Sequence, residues 1–323
     1  MPNDLLMTAR GFMASRIILT ASELKIFDKL PATAGELAME NGWDAEAVTF
    51  LLNGLCAIEV LTKSKGKYKI ADSLKDALSR DPEESILPML EHFVLMWENW
   101  SELSRIVLEG RKDKKEIAPL ADAGLLRSFI GAMHTIGRHT AKVLIKELKP
   151  YWATKILDVG GGSGTYTIAF LKEVRNLSAT LFDLPGVIPM ARERLSANGL
   201  IRRVSFVSGD FYQDPLPAGH DLVWLSAIIH QNGRSQNQKL FIKCYKALTI
   251  GGRLWIRDYI MDETRIKPPA GAIFAINMLV GTPAGSACTL DEVLEDLNAA
   301  GFTDAKMIRY GENMDCIVEA IKP

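Results

Sequence analysis

At 323 residues, with 48% hydrophobic and 24% charged side chains, the chain can bury a substantial core and is long enough for two ordinary globular domains. Its 38 Lys and Arg nearly balance its 39 Asp and Glu, so no global charge attracts it to nucleic acid or to an anionic membrane, and a compact neutral ligand is easier to accommodate. The four cysteines, Cys56, Cys244, Cys288 and Cys316, form no CxxC pair, and neither a signal sequence nor an apolar run of about 18 residues is present. Reduced thiols and a cytoplasmic, unanchored protein are therefore expected.

Apolar residues at Leu5, Leu6, Ala9, Phe12, Met13 and Ile17 predict an N-terminal helix with one apolar stripe, which needs a surface to pack on. From Ser22 to about Leu78, helices broken at "LPATAG" and "NGWD" precede a lysine-rich hairpin "TKSKGKYKIAD", the pattern of a winged helix. Between Pro31 and Thr62 there is no Lys or Arg, while Glu36, Glu40, Asp44, Glu46 and Glu59 are present, so a recognition helix there repels phosphate. The hairpin lysines are read as edge-strand protection, and no nucleic-acid partner is expected. Residues 83–150 read as further helices, and "LKPYWATK" marks a boundary. Beyond it, strand-like runs alternate with helical ones, which predicts βαβ units and a mainly parallel sheet over 151–323.

Within "ILDVGGGSGTYTIAFLKEV", a strand, a glycine turn and a helix start let backbone N–H groups approach a ligand. Gly160, Gly162 and Gly164 are spaced GxGxG rather than the GxGxxG of a dinucleotide fingerprint, and Asp158 precedes them. A carboxylate is awkward beside pyrophosphate but suits a cationic amino group, as at the methionine end of S-adenosylmethionine. Asp183 ends the second strand, where an acid accepts from ribose hydroxyls, and Asp210 with Phe211 ends the third, where the pair suits an adenine amino group and ring.

With "FDLPGVI", "SGDFYQDPLP", "HQNGRSQNQKLFIKCYKALTIGGRLWIRDYIM" and "GAIFAINMLVGTPAG", these motifs make nearly the whole chain resemble the plant-type and bacterial small-molecule O-methyltransferases. The resemblance implies an α/β Rossmann-like methyltransferase domain (151–323) behind an N-terminal all-α/winged-helix dimerisation domain (1–82), with a helical connector (83–150) lining the acceptor pocket. It implies S-adenosyl-L-methionine as cofactor, released as S-adenosyl-L-homocysteine, and a homodimer formed through the N-terminal domain, with Phe12 and Met13 reaching toward the partner's pocket; no metal is expected, because no HExxH or clustered acid and histidine spacing appears. The cofactor set is Asp158, Gly160, Gly162, Asp183, Leu184, Gly209, Asp210, Phe211 and Ser226.

His230, after the fourth strand, falls where the family carries its general base, and Asp258 where it carries the acid that orients that base. A phenolic hydroxyl gains from such a base as the methyl group is transferred. Trp97, Met133, His134, Phe274, Asn277 and Met278, with Phe93, are the expected acceptor lining, suited to a flat apolar molecule with one polar contact at Asn277. Departures from the family pattern are Gln231 and Asn232 in place of Asp-Trp, Ser226 in place of a lysine of the plant members, and about Ala287 in place of a second glutamate. The last makes transfer to sulfur, nitrogen or carbon an alternative chemistry. A nicotinamide-dependent dehydrogenase and a non-methylating cofactor-binding relative or regulator are the rival readings.

Overall fold

A computed structural model describes residues 2–80, 84–111 and 123–323. The chain forms two compact units, Met1–Glu98 and Asn99–Pro323.

The first unit carries helices α1 (Pro2–Glu23), α2 (Ala34–Asn41), α3 (Ala45–Ala57) and the start of α4 (Leu87–Ser101), with strands β1 (Ala32–Thr33), β2 (Leu61–Ser64) and β3 (Lys67–Ile70). The division between the units falls inside α4, between the boundaries at 82 and 150 that the sequence suggested. Capping chemistry sets the helix starts. Thr33 and Glu36 close a reciprocal capping box on α2, and the Asp44 carboxylate accepts the Ala47 N–H at 2.7 Å at the head of α3. β2 and β3 pair antiparallel, β1 adds to β3, and Leu37, Leu52, Leu55, Leu61 and Tyr68 fill the core beneath, which is the expected winged-helix arrangement. Burial of α1 begins near Ile17. Within this unit Leu5, Leu6, Met7, Phe12 and Met13 remain 50–71% exposed.

The second unit contains α5 (Leu103–Glu109), α6 (Ala123–Leu148), β4 (Lys155–Val159), α7 (Thr165–Glu173), β5 (Ser178–Asp183), α8 (Ile188–Ala197), β6 (Val204–Ser208), β7 (His220–Ser226), α9 (Arg234–Ala247), β8 (Leu248–Asp258), β9 (Ile260–Met261), α10 (Pro269–Gly281), β10 (Cys288–Thr289), α11 (Leu290–Ala299), β11 (Thr303–Arg309) and β12 (Cys316–Ile321). Among the described residues a seven-stranded sheet runs β11-β12-β8-β7-β4-β5-β6. The five strands from β8 to β6 are parallel, as the βαβ pattern predicts, while β12 pairs antiparallel with both β8 and β11. The mixed edge was not legible beforehand, because a C-terminal hairpin adds to a sheet through backbone pairing that local sequence does not encode.

Helices cover both faces, so the central strands are apolar on both sides. Leu222, Val223, Trp224 and Leu225 of β7 are all fully buried. Alternation sends Ile156, Leu222, Trp224 and Trp255 toward α6, α7 and α8, and Leu157, Val223, Leu225, Leu254 and Ile256 toward α9 and α11. Each such side chain contributes roughly 1.5–3 kcal/mol of burial. After β6 the chain returns to β7 on the other side of β4, so a switch-point crevice opens between the carboxyl ends of β4 and β7. Among the described residues, no helix is long and apolar enough to cross a membrane.

Candidate active site

From β4 the chain turns through Gly160–Gly164 with φ of 67°, 56° and 79° at Gly160, Gly162 and Gly164, left-handed values that a side chain disfavours. A Cβ on Gly160 would stand 2.8 Å from Ile228 Cδ1, whereas one on Gly162 would meet nothing within 4 Å, so Gly160 is required by contact as well as by conformation. The Asp183 carboxylate at the end of β5 braces this loop: Gly162 N–H donates to Oδ2 and Leu184 N–H to Oδ1, both at 2.7 Å. Burial pushes Asp183 up to about 6 against those two bonds. Each oxygen keeps a further lone pair for a ribose hydroxyl. Leu184 itself packs beside Leu126, Ile130 and Val187.

Asp158, one residue before the end of β4, is 2% exposed and accepts from the Thr167 hydroxyl at 2.5 Å. Burial, reinforced by the charge of Asp183, raises it to about 7, so the crevice holds acids that a bound cation would stabilise. At the end of β6, a Cβ on Gly209 would lie 2.6 Å from Phe182 Cζ, which leaves no room for any side chain. Asp210 follows with its carboxylate folded back on its own turn, Oδ1 accepting Tyr212 N–H at 2.8 Å and Oδ2 accepting Gln213 Nε2 at 3.1 Å. The Phe211 ring comes within 3.6 Å of a Cβ built on Gly160, so it borders the glycine turn. Tyr212 OH donates to Asn232 Oδ1 at 2.5 Å and Asn232 Nδ2 to Asn237 Oδ1 at 2.8 Å, which ties the β6 loop to the segment carrying His230.

β7 ends at Ser226, whose Oγ accepts from Arg257 Nη1 at 3.0 Å. Ala227 then takes a left-handed φ of 58° and turns the chain into the short helix Ile229–Gln231. This turn brings His230, 9% exposed, onto Asp258 at the end of β8. The Nδ1 atom lies 2.8 and 3.0 Å from the two carboxylate oxygens, and Tyr259 N–H donates to Oδ1 at 2.8 Å. An ionised carboxylate only accepts, so Nδ1 carries the ring proton and Nε2 presents its lone pair. Phe274 of α10 meets the imidazole edge-on, with ring centroids 4.8 Å apart. Ala287, about where the resemblance implies a second glutamate, is buried, and its carbonyl accepts Arg265 Nη1 at 3.1 Å.

On the expected acceptor side, Asn277 Oδ1 accepts the Trp100 indole N–H at 3.0 Å, so its amide NH2 faces elsewhere. Met278 is buried and Met133 half-buried on α6. His134 is engaged at both ring nitrogens: Arg194 Nη1 donates to Nε2 at 2.7 Å, so the Nδ1 proton goes to Thr165 Oγ1 at 2.8 Å. Burial and the charges of Arg194 and Arg138 lower it to about 3, so it stays neutral and braces the first turn of α7. Trp97 belongs to the first unit, where the Arg16 guanidinium lies 5.6 Å from its ring centroid, and Phe93 of the same helix is 40% exposed. Sequence reasoning missed Thr167, Tyr212, Trp100 and Arg257. For Arg257 a signal existed, a cation inside the apolar run "LWIRDYI".

A glycine turn that leaves no room for a Cβ at Gly160, backed by two carboxylates with raised pKa, fits a ligand with a ribose and an ammonium group.

A profile of the O-methyltransferase domain matches residues 100–303, and one of the O-methyltransferase dimerisation domain matches residues 6–75. The 3-hydroxy-5-methyl-1-naphthoate 3-O-methyltransferase of Streptomyces sahachiroi is 30% identical over 313 residues, covering 94% of this chain and 90% of its own. The acetylserotonin O-methyltransferase of Gallus gallus is 27% identical over 339 residues, covering 98% and 96%. The human N-acetylserotonin methyltransferase in complex with S-adenosylmethionine superposes with a TM-score of 0.82 at 24% identity, over 99% of this chain and 97% of that one.

Proposed function

The chain belongs to the S-adenosylmethionine-dependent O-methyltransferase family, and on that premise we propose that His230 is the general base that takes the proton of an acceptor hydroxyl on a small aromatic molecule. The observation that carries this reading is the His230–Asp258 pair, at 2.8 Å and nearly closed to solvent, at the carboxyl edge of the sheet.

S-adenosylmethionine supplies the methyl group from its sulfonium. Asp158 and Asp183 hold the ammonium and ribose ends, Gly160 and Gly162 admit the ligand to the backbone, and Gly209, Asp210, Phe211 and Leu184 border the adenine. So held, the sulfonium would supply its methyl group to an acceptor placed beside His230. As the acceptor oxygen loses its proton, Nε2 takes it, and the buried Asp258 carboxylate stabilises the imidazolium across the Nδ1 bond. With Ala287 where the family has a second acid, the pair works without a second carboxylate, which favours acceptors whose hydroxyl is already acidic. The apolar lining of Phe274, Met278 and Met133, with the Asn277 amide, suits a flat ring bearing one hydrogen-bond acceptor.

The dimerisation-domain match and the exposed apolar half of α1 support a homodimer formed through the first unit. The full-length protein and its His230→Ala variant, each given methyl-labelled S-adenosylmethionine and a metabolite extract of the source cells, test the assignment by mass spectrometry. Labelled product from the unsubstituted protein alone supports the base; equal labelling by both removes His230 from that role.

A further inference from the structure

Arg257 lies in β8 beside Asp258 but on the opposite face of the strand. It is 5% exposed, its Nη1 donates to Ser226 Oγ at 3.0 Å, and its guanidinium carbon sits 5.0 Å from the centroid of the Tyr166 ring, in the first turn of α7 after the glycine loop. Its Nε is buried with no hydrogen-bond partner among the described residues. Four residues earlier on the same face, Arg253 is more exposed and yet pairs with Glu319 at 3.0 Å. Arg257 forms no such ion pair among the described residues. A buried guanidinium with one neutral acceptor and one ring face is costly, and it is retained where an anion completes it.

The register locates that anion. Ser226 is paired with Arg257 across β7 and β8, and Asp158 with Trp224 across β4 and β7. Asp158, Ser226 and Arg257 therefore share the sheet face that carries α7, with the acid and the cation on strands about 10 Å apart on either side of the switch-point crevice. One bound group matches an acid on one flank and a guanidinium on the other: a zwitterionic amino acid. We infer that Arg257, held by Ser226 and Tyr166, binds the α-carboxylate of the cofactor's methionine moiety, opposite the ammonium held by Asp158. The cation that plant members carry at position 226 is in this chain supplied by the neighbouring strand. The acceptor's own carboxylate, if it has one, is not the partner, because His230 and Asp258 face the other side of β8.

This inference rests on S-adenosylmethionine being the cofactor, and its test separates the two. Calorimetric dissociation constants are measured for S-adenosylhomocysteine and for its decarboxylated analogue, with the full-length protein and with Arg257→Met. The unsubstituted protein should bind the decarboxylated analogue at least about ten-fold more weakly, the worth of one charge-assisted contact. Arg257→Met should bind the two ligands within about three-fold of each other, at the weaker level, and Arg257→Lys should recover part of the preference. The ratio is taken within one protein, so a general loss of affinity does not imitate the result. Equal binding of both ligands by the unsubstituted protein, or the same preference in Arg257→Met, overturns the assignment while leaving the cofactor in place. Failure of the unsubstituted protein to bind either ligand overturns both readings.

Discussion

Replacing Asp258 by Asn separates the electrostatic role of the carboxylate from its size. In the native site Oδ1 accepts both the His230 Nδ1 proton and Tyr259 N–H at 2.8 Å, and Oδ2 lies 3.0 Å from Nδ1 and 3.4 Å from the His230 backbone N. An amide cannot reproduce this set. With its oxygen toward Tyr259, its NH2 meets two further donors; turned over, it sets a donor against Tyr259 N–H and favours the tautomer whose proton sits on Nε2, where the acceptor must be deprotonated. The imidazolium formed during transfer also loses a buried counter-charge. One such preorganised contact is worth about 2.7–4 kcal/mol, which is about 10²–10³ in kcat. Initial rates of labelled product formation, with S-adenosylhomocysteine affinity measured alongside, give the comparison. We expect kcat to fall by that factor while cofactor affinity changes by less than about three-fold, since the Asp258 carboxylate is engaged by His230 and Tyr259. Because the two residues act as one unit, the double variant His230→Ala/Asp258→Asn should be no slower than His230→Ala alone. A loss under about three-fold in the single variant, or losses that multiply in the double one, would refute the pairing as the source of the rate.

Two further outcomes follow from the cofactor side. Burial holds Asp158 at about 7, so a proton must leave it before an ammonium group can pair with it; S-adenosylhomocysteine affinity should tighten as pH rises through 6 to 7 and level off above, by up to about ten-fold per unit. Asp158→Asn should move that limb down toward the value of about 6 at which Asp183 ionises, and an unshifted curve in titration calorimetry would remove Asp158 from the site. Gly209→Ala places a methyl 2.6 Å from the ring of Phe182, which is 1% exposed and has nowhere to retreat. Overpacking of that kind costs about 1–3 kcal/mol, so the melting temperature should drop by several degrees and S-adenosylhomocysteine should bind more weakly, whereas a variant unchanged in both would contradict the contact.

Much of the molecule was legible in one dimension because its signals are local. The GxGxG spacing, the acids closing three successive strands, and the alternation of strand-like with helical runs each depend on residues within a few positions of one another. The resemblance of those motifs to one family carried His230 and Asp258 as a pair, though they are 28 residues apart.

Other features were decided by the tertiary structure. Asp183 reads as a ribose ligand from its place at a strand end, yet it also braces the glycine loop, because parallel pairing sets β5 beside β4. His134 reads as pocket lining from its helix, and its ring is held between Arg194 and Thr165, contacts 60 and 31 residues distant. Trp100 orients Asn277 across 177 positions, and Arg257 meets Ser226 only through the register of β7 and β8. Periodicity and motif spacing report which face of an element a residue occupies. What meets that face depends on how strands order themselves in the sheet and how helices settle on it, and that order follows from burial summed over the whole core rather than from any single stretch of chain.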